Sequence, residues 1–206
     1  GTDPDSTNSP IYKGPLSVNG FTLVKAKAIR TGWYSSPIAS STFFKKGVTP
    51  TNAELINQPN EKYKGSGATT LIDLKKGLAE NFSDPAWLGF REQPFAAFFY
   101  FDTAQTITSI SISYDKSIQA YLMPPVEIEL WGGDDKNKLK LLKKAFPKQP
   151  TKEEKDAVIV EGIKLDIDPS SYKCFKIIAK NVTKLPAWHP GKGDKGWLFI
   201  DEIFFN

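Results

Sequence analysis

The sequence predicts an all-β protein: a β-sandwich with a small β module ahead of it. Three observations carry this. Strand-length segments alternate apolar and polar residues, turn chemistry separates them at short intervals, and only one segment offers a helix signal. Aromatics are abundant, with five Trp, seven Tyr and fourteen Phe, so the 206-residue chain can fill a large core.

The elements follow in order. "FTLVKAKAIRTG" sets Val24, Ala26 and Ala28 against Lys25, Lys27 and Arg30, the period of a half-buried strand. A turn at "RTGWYSSP" leads into a second strand, "IASSTFF". "KKGVTPTNAELINQPNEKYKGSGATT" is rich in Pro, Gly, Asn and Lys, and reads as a linker or long loop. The domain boundary therefore falls near Lys46, with residues 1–46 as the small module and 47–206 as the sandwich. "PFAAFFYFD" is a continuous apolar run, expected to be a central strand covered on both faces. "TITSISISYD" opposes Ile110, Ile112 and Tyr114 to Ser109, Ser111 and Ser113. "PVEIELWGGDD" alternates through Val126, Ile128 and Leu130, and "AVIVEGIKLDI", "YKCFKIIAKNV" and "GWLFIDEIFF" complete the set. The one helix signal is "PTKEEKDA", where Thr151 and Glu154 form a capping box worth a single turn.

Composition excludes several functions. Twenty-seven basic against twenty-three acidic residues give a net charge of +4 with the signs interspersed, which is no footprint for nucleic acid. Cys174 and His189 are the only residues of their kinds, so an internal disulfide and a Cys/His zinc cluster are both ruled out. Cys174 lies in a strand-like run and reads as a small buried hydrophobe. No stretch reaches the roughly eighteen apolar residues that cross a bilayer.

"LPAWHPGKGDKGWLFIDEIFF" contains Gly191, Gly193 and Gly196 spaced as G-x-G-x-x-G. In a dinucleotide site those glycines follow a strand and open a helix. Here they precede an aromatic, β-branched strand, and the phosphate-binding helix is missing. Asp201 and Glu202 form no catalytic pair, because neighbours on a strand point to opposite faces. His189 has no nucleophile of a Ser/His/Asp or Cys/His set nearby.

Two segments resemble known families. "GTDPDSTNSPIYKGPLSVNGFTLVKAKAIRTGWYSSPIASSTF" is similar to the latter part of the chitobiase/β-hexosaminidase C-terminal module, related to fibronectin type III. The resemblance rests on Gly1, Asp3 and Pro4 of its turn, Ser9, Tyr12, Pro15, "VKAKA", Gly32 and Ser36. That module normally starts with further strands, so an upstream domain is expected. "TLIDLKKGLAENFSDPAWLGF" through "LPAWHPGKGDKGWLFIDEI" resembles the discoidin domain, also called coagulation factor five/eight type C. The resemblance implies a galactose-binding-like jelly roll that binds glycans without catalysis, in a bacterial glycoside-hydrolase-like protein of chitobiase type. Such a protein would be secreted, periplasmic or at the cell surface. It also implies a structural calcium held by Asp73 and Glu202, with backbone carbonyls near Leu71 and Gly77. The sequence departs from the family at Leu74, where Gly usually follows the Asp. A simpler reading makes Asp73 a turn residue and Glu202 the partner of a lysine.

A sugar offers an apolar C–H face and a rim of hydroxyls, so its site needs an aromatic plate flanked by planar hydrogen-bonding groups. The loops supply Trp87, Phe90 and Arg91 in "WLGFRE", Tyr121 in "IQAYLMPP", and Trp188 with His189 in "PAWHPG". The expected ligand is a glycan containing galactose or N-acetylhexosamine. The competing reading packs these aromatics inward, in particular Trp87, Trp188 and Trp197, and leaves a structural spacer or protein-interaction domain.

Overall fold

A computed structural model describes residues 2–18, 21–79 and 81–206. Gly1, named above for its turn, lies outside them. The chain divides into two compact units, Gly1–Lys45 and Lys46–Asn206.

In the first unit, β1 (Thr22–Ala26) pairs antiparallel with β2 (Ala39–Phe43), running from Thr22 opposite Phe43 to Ala26 opposite Ala39. Asp5 orders the segment before them, accepting from the Thr7 and Asn8 amides at 2.7 and 2.6 Å. Lys25 reaches back to Asp3 at 2.7 Å.

The second unit is an antiparallel β-sandwich. Its strands are β3 (Asn52–Leu55), β4 (Leu88–Phe90), β5 (Phe95–Ser117), β6 (Glu127–Gly133), β7 (Lys140–Ala145), β8 (Val158–Lys180) and β9 (Leu198–Phe205). Two segment pairs that the sequence separates are single strands of 23 residues, β5 and β8, lying side by side from Phe95 opposite Ala179 to Ser117 opposite Val158. Their register shifts between Tyr100 and Gln105 and again between Ile107 and Ser109. Such irregularities bend strands, and here each long strand serves two wings. The first half of β5 pairs with β3, while the last half of β8 pairs with β6, which carries β7 at the edge. The second half of β5 pairs with β9, which carries β4. The wings close on one core, in which Phe205 of β9 meets Phe99 of β5 at 5.2 Å and Phe175 of β8 at 5.7 Å.

Several expectations change. The presumed linker holds β3 and two short 3₁₀ turns, Glu61–Tyr63 and Gly67–Leu71. Ala53 and Leu55 are the only inward residues of β3, so its period was too short to read. β7 was hidden by its lysines, which suit an exposed edge strand. In β5, Phe98 and Tyr100 are partly exposed rather than covered: Lys136 lies over the Phe98 ring and the Tyr100 hydroxyl donates to Glu54 at 2.7 Å. The opposite half of β5 buries its serines, Ser109, Ser111 and Ser113, as well as its isoleucines. The single turn at Lys152–Glu154 carries its capping box in full. Cys174 is buried, and burial pushes its thiol up to about 11.

Candidate functional site

The glycine-rich loop between β8 and β9 is compact because it closes on itself. The Gly196 amide donates to Val182 O at 2.9 Å, and Leu185 exchanges bonds with Asp194 and Gly193 at 2.7 and 3.1 Å. Its glycines serve backbone geometry. Gly191 lies so close under Tyr121 that a Cβ would stand 2.1 Å from the ring, and Gly193 takes a left-handed φ of 87°. β9, not a helix, follows Gly196.

His189 locks this loop to the segment after β5. Its Nε2 donates to Ile118 O at 2.7 Å and its Nδ1 accepts the Gly191 N–H at 2.9 Å, so the neutral ring is fully used. Tyr121 closes over it edge-on at 5.0 Å, held at a left-handed φ of 70°. Trp188, on the other side of the histidine, is partly exposed.

Three expected ligand contacts are thereby corrected. His189 is buried with no free nitrogen. Trp87 is 0% exposed, fills the space left by Gly77, and gives its indole N–H to Leu78 O at 3.2 Å. Phe90 is buried edge-on against Phe95 at 5.4 Å. None can meet a ligand without unpacking the core.

Arg91, Tyr121 and Trp188 remain partly exposed, and the structure adds two residues that sequence reasoning set aside. Trp197, read as core, is partly exposed, and the Arg91 guanidinium lies 5.5 Å over its ring while Nε donates to Lys195 O at 3.3 Å. Tyr63, inside the presumed linker, meets Trp197 edge-on at 5.3 Å. The loops are stitched at this point, since Trp197 N donates to Tyr121 O at 2.8 Å and Met123 N to Trp197 O at 2.9 Å. Arg91 and Trp197 meet directly, while Tyr121 and Trp188 pack beside His189. The signal available in sequence was the aromatic of "EKYKG", whose 3₁₀ turn is capped by Asn60 through the Lys62 amide at 3.0 Å.

A second locus lies at Asp73 and Glu202. Asp73 is a turn residue, accepting from the Lys75 amide at 2.9 Å. Leu74 holds a left-handed φ of 62°, so the chain keeps at this position the conformation a glycine would adopt freely. The expected lysine partner of Glu202 goes elsewhere: Lys76 Nζ stands 2.7 Å from Asp201, which also accepts the Gly77 amide at 2.9 Å. The alternation assumed for the two acids is interrupted, because Ser113 faces Glu202 while Tyr114 faces Ile200, which leaves Asp201 as the extra residue of a bulge. Glu202 is 0% exposed and lies against the Asp73 carboxyl and the Leu74 backbone. Burial, and next the Asp73 carboxyl beside it, push it up to about 8. It lines a cavity of about 10 Å³ with Ile72, Leu74 and the segment 46–50, space for one water-sized occupant. Among the described residues no set of three His, Cys, Asp or Glu side chains converges for a metal. An oxygen cage here would therefore draw on backbone carbonyls beside the two carboxylates, a donor set that suits a hard cation.

Among the described residues no helix is long and apolar enough to cross a membrane. No curated protein sequence matches the chain. Among solved structures it is similar to a family 32 carbohydrate-binding module from Clostridium perfringens in complex with GalNAc-β-1,3-galactose, at 12% identity over 75% of this chain and 93% of that one, TM-score 0.48. It is similar to a pectin-binding module at 15% identity over 78% and 92%, TM-score 0.49. A chitobiase C-terminal domain from Bacteroides fragilis matches at 14% identity over 77% and 95%, TM-score 0.47. Residues 1–43 match the family described as Fn3 associated.

Proposed function

We propose that the chain is a non-catalytic carbohydrate-binding region of a secreted or cell-surface bacterial glycoside-hydrolase-like protein of chitobiase type, with a fibronectin-like segment over 1–46 ahead of a discoidin-like module over 47–206. The observation that carries this reading is the Arg91–Trp197 pair, which sets a five-donor fork beside a partly exposed indole on the loop surface. A sugar's C–H face packs against the aromatic surface of Trp197, and the terminal guanidinium nitrogens of Arg91, whose Nε donates to Lys195 O, bind adjacent hydroxyls. Galactose- or N-acetylhexosamine-containing glycans are the ligand class. The work done is tethering: a weak site raises the effective concentration of a linked catalytic domain at its substrate.

Calcium belongs to the same proposal. Glu202 and Asp73 beside it would hold the ion with nearby backbone carbonyls, and the ion would supply the positive charge that two clustered carboxylates need. Its role is structural.

Calorimetric titration with galactose, N-acetylglucosamine and their oligomers tests the reading. Binding that falls at least tenfold in Arg91→Ala and Trp197→Ala, with the fold intact, supports it. Flat titrations of the folded protein overturn it in favour of a spacer, the reading favoured by the inward packing of Trp87, Phe90 and His189.

A further inference from the structure

We propose that the hairpin tip of the first unit is a second carbohydrate contact, in which Trp33 and Tyr34 take the apolar face of a sugar ring and Arg30 its hydroxyl rim; the ligand class rests on the reading above. Trp33 is 69% and Tyr34 105% exposed, two adjacent large aromatics on one turn. Scattered apolar residues on a surface need no explanation. These two differ because their backbone is fixed by bonds that owe nothing to burial of the rings. Trp33 N donates to Arg30 O and Ser36 N to Ala28 O, each at 3.0 Å. The Ser36 hydroxyl accepts from the Ala28 amide at 2.9 Å and donates to Pro37 O at 2.8 Å. Gly32, at φ 79°, makes the reversal with nothing near its Cβ position. The turn holds the two aromatics in solvent through its own bonds, and rigid aromatics on an ordered loop lose little entropy on binding.

The chemistry of the patch selects a sugar. The Arg30 guanidinium lies 5.2 Å over the Trp33 ring, which joins an apolar plate to a planar set of donors, with the Thr31 and Ser35 hydroxyls in the same turn. A stable protein partner would need roughly 800 Å² from each side. Two side chains and one arginine on a turn fall short of that, whereas a single sugar ring matches an indole in size. With a sandwich site in the same chain, the tip adds a second weak contact for a polymer.

The test follows the five tryptophan indole N–H signals of the full chain by NMR, assigned with single Trp→Phe variants, during titration with galactose, N-acetylglucosamine and diacetylchitobiose. Movement of the Trp33 signal, abolished in Tyr34→Ala or Arg30→Ala, supports the proposal. So does a loss of about tenfold or more in retention of Trp33→Ala on an insoluble polysaccharide. A Trp33 signal that stays still in the folded protein overturns it, as does one that moves only with protein concentration, which would make a second copy of the chain the occupant. The Trp197 signal reports separately on the sandwich site, so failure of either site is distinguishable from failure of the other.

Discussion

Two buried polar groups, His189 and Glu202, occupy loop-rich parts of the same sandwich and have opposite circumstances. His189 spends both ring nitrogens on backbone groups, Ile118 O and Gly191 N, while Glu202, equally buried, has a second carboxyl, Asp73, beside it. A buried polar group costs little when its bonds are made and much when they are not. The histidine is therefore complete within the chain and structural. The glutamate instead shares its pocket with a like-charged group, and burial together with that neighbour raises it to about 8.

The largest effect that would break this comparison is at the histidine. Removing its ring in His189→Ala strands two buried backbone groups at roughly 1–3 kcal/mol each and opens a cavity beneath Tyr121. Urea denaturation is expected to show a loss of about 3 kcal/mol or more. A loss under about 1 kcal/mol would show that the loop is not held through this ring.

Calcium tests the other side. At a hundredfold excess over its dissociation constant, a ligand of the folded state adds about 2.7 kcal/mol, or roughly 5–10 °C in Tm for a chain of this size. Scanning calorimetry after chelation and after calcium addition is expected to show that rise. Glu202→Gln is expected to fold and to lose the response, because an amide keeps the shape without the charge. An equal rise in the variant would place the ion elsewhere.

Leu74 sharpens the same locus on a smaller scale. A left-handed leucine costs about 1–2 kcal/mol relative to glycine, offset by the extra freedom glycine gives the unfolded chain. Leu74→Gly is expected to gain up to about 1 kcal/mol in thermal unfolding, whereas Leu74→Ala, which keeps the strain, gains nothing. The reverse order would mean that the leucine side chain, part of the cavity wall, outweighs its backbone.

How much of this could be read beforehand follows from which interactions are local. Strands such as 109–114 were legible because alternation is a property of neighbours in sequence, and the capping box at Thr151 and Glu154 likewise. The site was less so. The partner of His189 lies 71 residues away, so nothing in "PAWHPG" distinguishes a saturated imidazole from an open one. Trp87 resembles a loop aromatic until the fold brings Gly77 and Phe199 against it. Trp197 errs in the opposite direction: it stands next to a buried strand, yet its ring reaches the surface between Arg91 and Tyr63. The bulge at Asp201 defeats the period-two rule because it depends on the partner strand.

Glu127 supplies the contrast, being a carboxylate flanked by two lysines instead of by another carboxyl. Lys180 and Lys144 stand 2.7 and 2.9 Å from its Oε1. Lys180 first, then Lys144, hold it down to about 2, where Glu202 is driven the other way. A carboxyl depressed in the folded state contributes stability above its unfolded value, near 4.5, and loses that contribution as pH falls toward about 2. In Glu127→Gln this part of the acid dependence should vanish, so the variant and the parent should differ at pH 6 and converge as the pH drops. The effect is small because the group and its lysines touch solvent. Parallel acid-unfolding curves, offset equally at every pH, would show that the lysines contribute packing and not charge.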